Sequence, residues 1–291
     1  MVFKMKPILV HCHIYYPEMW AELKACIHNI EPHPFNLFVT MIEKHDDIRK
    51  DILVDFPDSH IEIVENRGFD IGPFIHILNQ VNLDEYSYIV KLHSKRDIVA
   101  NKPLFRNMTD SKWRDALLLF IRTPEIFNRC LKVFDENLLI GMHANHTVIV
   151  HHDFYDKKTK KRIKQYMKEH HYPKHKYAFV AGTMFIAKAD VFKDIQKLSL
   201  SLTDFPDPKG KHKAQLAHII ERLFGYFVYK NGLVVRDVLI EPETEQKYHQ
   251  KEYIKMKFIY PIKRFFYQKK ITKSGNVLVK IFKIPIFLKK K

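Results

Sequence analysis

Segments of strand character alternate with segments of helical character along most of the chain, and this alternation limits the fold more than any other feature. Short apolar runs predict strands at Ile8–Tyr15, Phe35–Thr40, Ile61–Val64, Tyr86–Leu92, Ile140–Ala144, Tyr177–Ala187 and Leu233–Leu239. Helical spacing predicts helices at Glu18–Asn29, Ile71–Val81, Trp113–Arg122, Glu125–Phe134, Lys157–His170 and Lys213–Tyr229. Such alternation indicates an α/β fold on a mostly parallel sheet. Ligands bind beyond the carboxyl ends of strands in these sheets, so motifs at strand ends are the first candidates for a site.

The positive charge of the chain is concentrated at one end. Residues 246–291 hold 14 Lys and Arg and a single acid, Glu252, for a net charge of +13, whereas residues 1–245 contribute +3 to the total of +16. We therefore divide the chain into a folded body, 1–245, and a basic tail, 246–291. The tail interleaves cations with large apolar residues and is interrupted by Pro261 and Pro285, which predicts two or three short amphipathic pieces.

Two kinds of partner suit this tail. Apolar faces flanked by cations bind bilayers rich in anionic lipid, where each cation contributes ~1 kcal/mol near the surface. Nucleic acid is the rival, because bases stack on aromatic rings while phosphates pair with Lys and Arg. Since the body is close to neutral, the anionic membrane surface is the favoured partner, and nucleic acid is not predicted.

Other sequence features indicate a cytoplasmic protein that is soluble or peripheral on a membrane. The sequence has no run of the ~18 apolar residues needed to cross a bilayer, and the apolar run before His11 is too short for a secretory signal. Its three cysteines, Cys12, Cys26 and Cys130, follow no disulfide or metal-binding spacing, which suits a reducing compartment.

The most informative motif is ENRGFDIGP, which follows one predicted strand and opens a helix. Gly68 and Gly72 would let the backbone approach a ligand closely, and Arg67 offers a fork of hydrogen-bond donors. Asn66 and Asp70 are suited to hydrogen-bond a base or a ribose. An ordinary turn with a helix N-cap at Asp70 explains the same pattern equally well.

A second motif, KLHSKRD, ends the predicted strand Tyr86–Leu92. Lys95 and Arg96 could neutralise a diphosphate, and His93 could donate a hydrogen bond to it. A solvated charged turn is the alternative. The apolar strand before this turn favours the first interpretation, because such a strand delivers its end to the edge where sites form.

A third motif, VAGTMF, lies inside an apolar run. Gly182 marks a place where another group approaches the backbone closely, and Thr183 supplies a hydroxyl. A strand glycine beside a packed side chain is an equally good explanation.

A fourth motif, QLAHIIERLFG, places His218, Glu221 and Arg222 on one face of a predicted helix. Glu221 is therefore placed to act as a general base or to hold one. A surface ion pair would be the simpler explanation if this motif stood alone.

The 18 histidines of the chain add little to the prediction. His11 and His13 share one face of the first strand, but no carboxylate has suitable spacing, so structural histidines are favoured over metal ligands. The sequence also lacks a Walker-type loop, Gly-x-Ser-x-Gly, HExxH and GxGxxG.

Taken together, the motifs resemble those of the rhamnan synthesis protein F family of bacterial polysaccharide glycosyltransferases. The matching segments, in chain order, are HCHIYYPEMW, FNLFVT, ENRGFDIGPF, YIVKLHSKRD, KWRDALL, FVAGTMFIAK and AHIIERLFG, from about residue 8 to residue 226. The resemblance implies a glycosyltransferase A-type fold, in which a Rossmann-like mixed sheet flanked by helices joins a nucleotide half to an acceptor half. It also implies transfer of a deoxyhexose, typically rhamnose from dTDP-rhamnose, onto a cell-surface polysaccharide or lipid-linked glycan.

Carried over motif by motif, the resemblance implies a set of site residues. The donor would be bound by His13, Thr40, Asn66, Arg67, Gly68, Asp70, His93, Ser94, Lys95 and Arg96. The acceptor would be bordered by Gly182, Thr183, Met184 and Arg222. Glu221, with His218 nearby, would deprotonate the acceptor hydroxyl, and direct displacement would invert the anomeric carbon.

The resemblance also bears on metals and partners. Many enzymes of this fold carry a metal-binding acidic pair where His93, Ser94 and Lys95 stand, and Asp97 alone is a poor substitute. Cationic side chains would then act on the leaving diphosphate, so we assign no metal ligand and favour metal independence. The implied partners are a nucleotide sugar, a glycan or lipid-linked acceptor, the inner face of the cell membrane and other polysaccharide-assembly enzymes. The alternative is a non-catalytic module that binds a nucleotide sugar or glycan.

Overall fold

The computed structural model describes residues 6–96, 111–152, 157–206 and 216–259, residues 262 and 266, and the backbone of three short strands between 267 and 288. The chain divides into two compact units, Met1–Leu239 and Ile240–Lys291.

The first unit is built on a mixed sheet whose strands are mostly parallel. Its described strands are β1 (Ile8–Ile14), β2 (Phe35–Met41), β3 (His60–Ile63), β4 (Tyr88–His93), β5 (Ile140–His143), β6 (Ile149–His151), β7 (Ala178–Val180), β8 (Phe185–Lys188) and β9 (Val234–Arg236). The main sheet has the order β3-β2-β1-β4-β8-β5-β9, while β6 and β7 form a separate antiparallel pair. Only β8 runs against its neighbours β4 and β5. This topology confirms the predicted α/β class with a Rossmann-like mixed sheet.

Eight described α-helices belong to this unit: α1 (Trp20–His28), α2 (Asp46–Asp55), α3 (Ile71–Leu78), α4 (Lys112–Leu118), α5 (Pro124–Glu136), α6 (Lys157–Glu169), α7 (Lys193–Gln196) and α8 (Leu216–Lys230). Helix α5 shows how sequence sets a boundary, because Thr123 accepts a hydrogen bond from the Ile126 amide at 3.3 Å and Pro124 occupies the first helical position. Helix α2 was not predicted, since its polar sequence buries only Ile52.

An aromatic cluster joins α3 and α8 to the sheet. The rings of Phe74, Phe185, Phe192 and Phe224 have centroid distances between 5.4 and 6.4 Å and are almost completely buried. Helix α8 also approaches β7 so closely that a Cβ on Gly225 would lie 2.0 Å from the Ala178 carbonyl oxygen. This packing fixes α3 and α8, which carry two of the predicted motifs, against the central strands.

The predicted single strand Tyr177–Ala187 is wrong. The structure breaks it into β7 and β8, which lie in different sheets. The turn between them has positive φ at Gly182 (93°) and Thr183 (52°), and a threonine is uncommon in that region. Because apolar residues continue on both sides of the turn, the hydrophobic pattern gives no sign of it. The predicted helix start Lys213–Gln215 lies outside the described residues.

The second unit contains α9 (Pro242–Ile254), a helical extension Lys255–Ile259, and an antiparallel three-stranded sheet of β10 (Tyr267–Ile271), β11 (Val277–Ile281) and β12 (Ile284–Leu288). Large apolar side chains are exposed along its first part, each by 39% or more: Tyr253, Ile254, Phe258, Ile259, Ile262 and Phe266. In the described part of the chain, no helix combines the length and apolar character needed to span a bilayer.

Candidate functional site

The candidate site lies where the central parallel strands β1 and β4 end. Their register pairs His11 with Lys91 and His13 with His93, and His13 also pairs with Thr40 of β2. Since side chains alternate along a strand, these polar residues form a stripe on one face of the sheet. Phe74 of α3 covers the stripe, with its ring 5.4 Å from both the His11 ring and the Lys91 ammonium.

A buried ion pair connects three of the predicted motifs. The Lys91 ammonium, which is completely buried, donates to Asp70 Oδ2 at 2.6 Å and to Thr183 Oγ1 at 3.2 Å. The Thr183 hydroxyl itself donates to Asp70 Oδ2. The structure thus brings together one side chain from each of three predicted motifs.

The Asp70 carboxyl remains ionised in this environment. Burial alone would raise its pKa, but the nearby His93, Lys91 and Lys95 side chains outweigh burial and hold the pKa well below its usual range. A carboxylate there compensates the Lys91 ammonium, which would otherwise be buried without an opposite charge.

The three histidines of this face differ in their hydrogen bonding. His11 Nε2 and His13 Nδ1 each lie 3.0 Å from the Thr40 hydroxyl oxygen. Burial lowers the pKa of His13 to about 4, so this ring is neutral near pH 7. His93 is 3% exposed, and among the described residues neither of its ring nitrogens has a hydrogen-bond partner. The predicted structural role of His11 agrees with these contacts, and Thr40 and His13 lie at the predicted edge.

Other predicted donor-binding residues after β4 mainly contact the protein. Ser94 Oγ accepts hydrogen bonds from the Tyr15 and Tyr16 amides at 2.8 Å, which ties β4 to the end of β1. Arg96 is exposed, pairs with Glu18 at 2.6 Å and lies over the Tyr16 ring. The Lys95 ammonium is 4.7 Å from the centroid of the Trp113 ring and contributes to the electrostatics of Asp70 and His93.

The turn before α3 is stabilised by contacts within the protein. Arg67 pairs with Glu65 at 2.6 Å and donates to the Phe205 carbonyl at 3.0 Å. A Cβ on Gly68 would lie 2.7 Å from the Phe205 ring, and one on Gly72 would lie 2.2 Å from the Arg67 carbonyl oxygen. The two glycines therefore make room for the protein itself, where we expected a ligand. The half-buried Asn66 lies in the same turn.

Glu221 reaches the turn between β7 and β8 from α8. Its Oε1 accepts a hydrogen bond from the Gly182 amide at 3.1 Å, and its Oε2 pairs with Arg222. Arg222 also donates to the His218 carbonyl at 2.7 Å. The Glu221 charge is close enough to raise the pKa of Lys91, although burial dominates and lowers that pKa. The fourth motif is thus adjacent to the other three.

The structure also shows the surroundings of two predicted acceptor-binding residues and of His218, which was predicted to assist Glu221. Met184 was predicted to border the acceptor, and its side chain is completely buried in the hydrophobic core. Gly182 meets α4, since an added Cβ would lie 2.9 Å from Leu117 and 3.1 Å from Trp113. The His218 ring packs edge-on against Phe69 at 5.7 Å.

Two further groups at this edge were missed by the sequence analysis. Lys91 lies in the second motif but was not predicted as a site residue. The pattern HxH in β1 beside KxH in β4 could have indicated the polar stripe. His146 follows β5, and its amide and Nδ1 both donate to Asp237 Oδ2 at 2.8 Å. Burial would raise the pKa of Asp237, but hydrogen bonds from His146 outweigh it and lower the pKa.

The chemistry of the described residues does not fit a divalent metal. The carboxylate nearest the predicted position, Asp70, already pairs with the buried Lys91 ammonium, whose charge would repel a second cation. Within the described ranges, no group of three or more His, Cys, Asp and Glu could hold a metal ion. Asp97 lies outside the described residues.

The chain belongs to the rhamnan synthesis protein F family, whose model matches residues 1–233. This match confirms the resemblance carried by the motifs. Two curated relatives from strains of Xanthomonas campestris pv. campestris, both called uncharacterized protein WxcX, are 25% identical over 182 residues. The match covers 60% of this chain and 24% of each relative, so the chain spans about a quarter of their length.

One solved structure, S. aureus TarS 1-349, aligns with a TM-score of 0.40 and 12% identity. The alignment covers 79% of this chain and 58% of that chain.

Proposed function

We propose that this chain transfers a hexose or deoxyhexose from a nucleoside diphosphate donor to a polysaccharide or lipid-linked glycan. Rhamnose from dTDP-rhamnose is the first donor to test, in keeping with the name of the family. The proposal rests on one observation, which is that residues of four motifs contact one another at one sheet edge. Asp70 contacts Lys91 and Thr183, and Gly182 contacts Glu221.

Each part of the edge has a proposed role. The donor diphosphate lies against His93 and Lys95, where positive charge stabilises the negative charge of the leaving group. The Asp70–Lys91 pair holds this edge in place and contributes its field. The turn of Gly182 and Thr183 borders the acceptor. Glu221 removes the acceptor proton, and the displacement inverts the anomeric carbon.

A thermal-shift panel tests donor binding. We expect one of dTDP, UDP and GDP, or its sugar conjugate, to stabilise the chain by ~2.7 kcal/mol at about a hundred times its dissociation constant. The matching nucleoside, which lacks both phosphates, is the control and should stabilise the chain much less. If none of these diphosphates or conjugates stabilises the chain, the proposed donor class is wrong.

We expect the reaction to be independent of divalent metal. Lys91 and Lys95 lie near the position where a metal would otherwise neutralise the diphosphate. Turnover, measured as release of the nucleoside diphosphate, should change less than about twofold after treatment with EDTA, because the cations remain in place. Loss of turnover with EDTA and its recovery with manganese would contradict this expectation.

A second candidate function is a non-catalytic module that binds a nucleotide sugar. Both oxygens of Glu221 accept hydrogen bonds, one from Arg222 and one from the Gly182 amide, and these contacts also suit a purely structural carboxylate. The two functions differ in whether the wild-type chain turns over a donor that it binds, so turnover and donor binding by the wild type must be measured together.

We also propose that the second unit binds an anionic membrane, which would hold the chain on the cytoplasmic face beside a lipid-linked acceptor. Exposed apolar residues there lie close in sequence to Lys251, Lys255 and Lys257. This combination of apolar surface and cations fits an interfacial helix.

Replacement of three exposed apolar residues should remove this binding. We expect Ile254→Ser, Phe258→Ser and Ile259→Ser together to reduce co-sedimentation with phosphatidylglycerol vesicles by about tenfold, because less apolar surface enters the bilayer. The control, Leu138→Ser with Leu139→Ser, removes two apolar residues of the first unit that are even more exposed, and it should bind like wild type. Unchanged sedimentation of the triple variant, or preference of the wild type for single-stranded nucleic acid, would contradict the proposal.

A further inference from the structure

His93 is the least satisfied polar side chain of the candidate site. Its ring is 3% exposed, and neither nitrogen has a hydrogen-bond partner among the described residues. The nearest carboxylate contact, between His93 Nδ1 and Asp70 Oδ2, is 3.6 Å, which is longer than a hydrogen bond. Buried polar atoms nearly always have partners, and an unpartnered one costs about 1–3 kcal/mol. This imidazole is therefore suited to bind a group that arrives from outside the protein.

The charges around His93 indicate the sign of that group. Asp70 faces the ring from the turn before α3, His13 faces it from β1, and Lys91 and Lys95 lie on either side in the same segment. Asp70 is already neutralised by the Lys91 ammonium at 2.6 Å and accepts a second bond from Thr183. His13 is neutral near pH 7, so the charged groups that act on His93 are two lysines and one carboxylate, and this balance favours an anion.

The surroundings of His93 also determine its protonation state. Burial, which is the main effect, and the two lysines lower its pKa well below the usual value, while Asp70 opposes them. The free protein therefore holds a neutral imidazole at neutral pH. A bound diphosphate would bring negative charge against the ring and favour the imidazolium, which donates two hydrogen bonds.

We propose that His93 takes up one proton when a diphosphate binds and holds the diphosphate as an imidazolium. This inference rests on the proposed function, because it assigns the chemistry of the donor site. Among the described residues, no cluster of side chains could hold a metal ion at this edge. A protonated His93 would supply positive charge to the diphosphate when it binds. Diphosphate affinity should then fall as the pH rises above neutrality, because the complex must keep a proton that the free protein lacks.

Titration calorimetry in buffers of different ionisation enthalpy measures this proton. The probes are inorganic diphosphate and the panel dTDP, UDP and GDP, at about pH 7.5, where phosphates with a pKa near 6 are mostly ionised. We expect wild-type binding to take up close to one proton more than binding to His93→Asn. The substitution should also weaken diphosphate affinity on the order of tenfold to a hundredfold, the range of a charge-assisted hydrogen bond.

Two further variants make the result specific. His93→Gln preserves a hydrogen-bond donor without a titratable group, so it should lose the proton uptake even where some affinity remains. His76→Asn is the matched control, because His76 is half-buried on α3 and bonds to Glu62 at 2.8 Å, outside the stripe. It should keep wild-type affinity and proton uptake. Thermal unfolding of each free variant shows whether the fold is retained.

The outcomes separate this inference from the proposed function. If a diphosphate binds but wild type and His93→Asn take up equal numbers of protons, the inference is wrong while the donor class stands. Equal, positive uptake would assign the proton to another group, of which Lys91 is the first candidate because burial lowers its pKa. If inorganic diphosphate and all three nucleotides fail to bind, the proposed function and the inference are both contradicted.

Discussion

Asp70→Asn should destabilise the first unit by about 3–5 kcal/mol, since it leaves the completely buried Lys91 ammonium without its carboxylate. At roughly 2–4 °C per kcal/mol, the midpoint of thermal unfolding should fall by about 6–20 °C. The substitution also removes the ion that accepts the Thr183 hydroxyl, which fixes the left-handed turn between β7 and β8. Urea and thermal unfolding near pH 7 measure the loss.

The double variant Asp70→Asn with Lys91→Met distinguishes the ion pair from other roles of Asp70. Replacing both partners removes the unpaired charge, so we expect most of the stability to return. The control is Asp194→Asn, because Asp194 is also mostly buried but pairs with the exposed Lys197 and Lys230. Asp194→Asn should lower the free energy of unfolding by no more than about 1 kcal/mol. A single Asp70 variant as stable as this control would show that the buried pair is not required for folding.

The stability that Asp70 contributes should depend on pH in a defined direction. Because its pKa is lowered in the folded chain, the carboxylate stabilises the fold above the pKa of the unfolded chain, near the usual 3.8. That contribution is lost as the pH falls through the lower, folded value. The difference in free energy of unfolding between wild type and Asp70→Asn should therefore be largest near neutral pH and become smaller in acid.

The strands and the site edge were largely predictable, because they follow from hydrophobic pattern and chain order. The ends of β1 and β4 lie at the same edge as in any parallel pair, so His13 and His93 lie beside each other there. What the pattern could not give was the identity of side-chain partners. Arg67 donates to Phe205, far along the chain, and no local spacing indicates this contact.

The errors have a common physical cause. Met184 and Lys91 both lie in apolar runs, and the sequence shows neither that Met184 is completely buried nor that Lys91 meets the distant carboxylate of Asp70. The turn at Gly182 and Thr183 depends on Glu221 and Asp70, which bond it from two other elements. Features that are stabilised by tertiary contacts alone leave little trace in local periodicity.

Glu221→Gln should reduce turnover by a factor of about 10²–10⁴ while donor affinity stays within about threefold of wild type. A general base in the transition state contributes a factor of this size, and glutamine cannot accept the acceptor proton. The amide oxygen of glutamine can still accept the Gly182 N–H bond, so the turn should keep its shape. Release of the nucleoside diphosphate measures turnover, and calorimetry with the donor identified in the panel measures affinity.

The same pair of measurements decides between an enzyme and a binding module. If Glu221 is the base, the variant binds the donor and loses turnover, whereas Asp194→Asn, which alters a carboxylate outside the site, keeps both. If Glu221 only positions the turn through Arg222 and Gly182, turnover survives in the glutamine variant, since the bond to the turn survives as well. A wild-type chain that binds the donor and transfers nothing to any glycan acceptor would instead support the non-catalytic module.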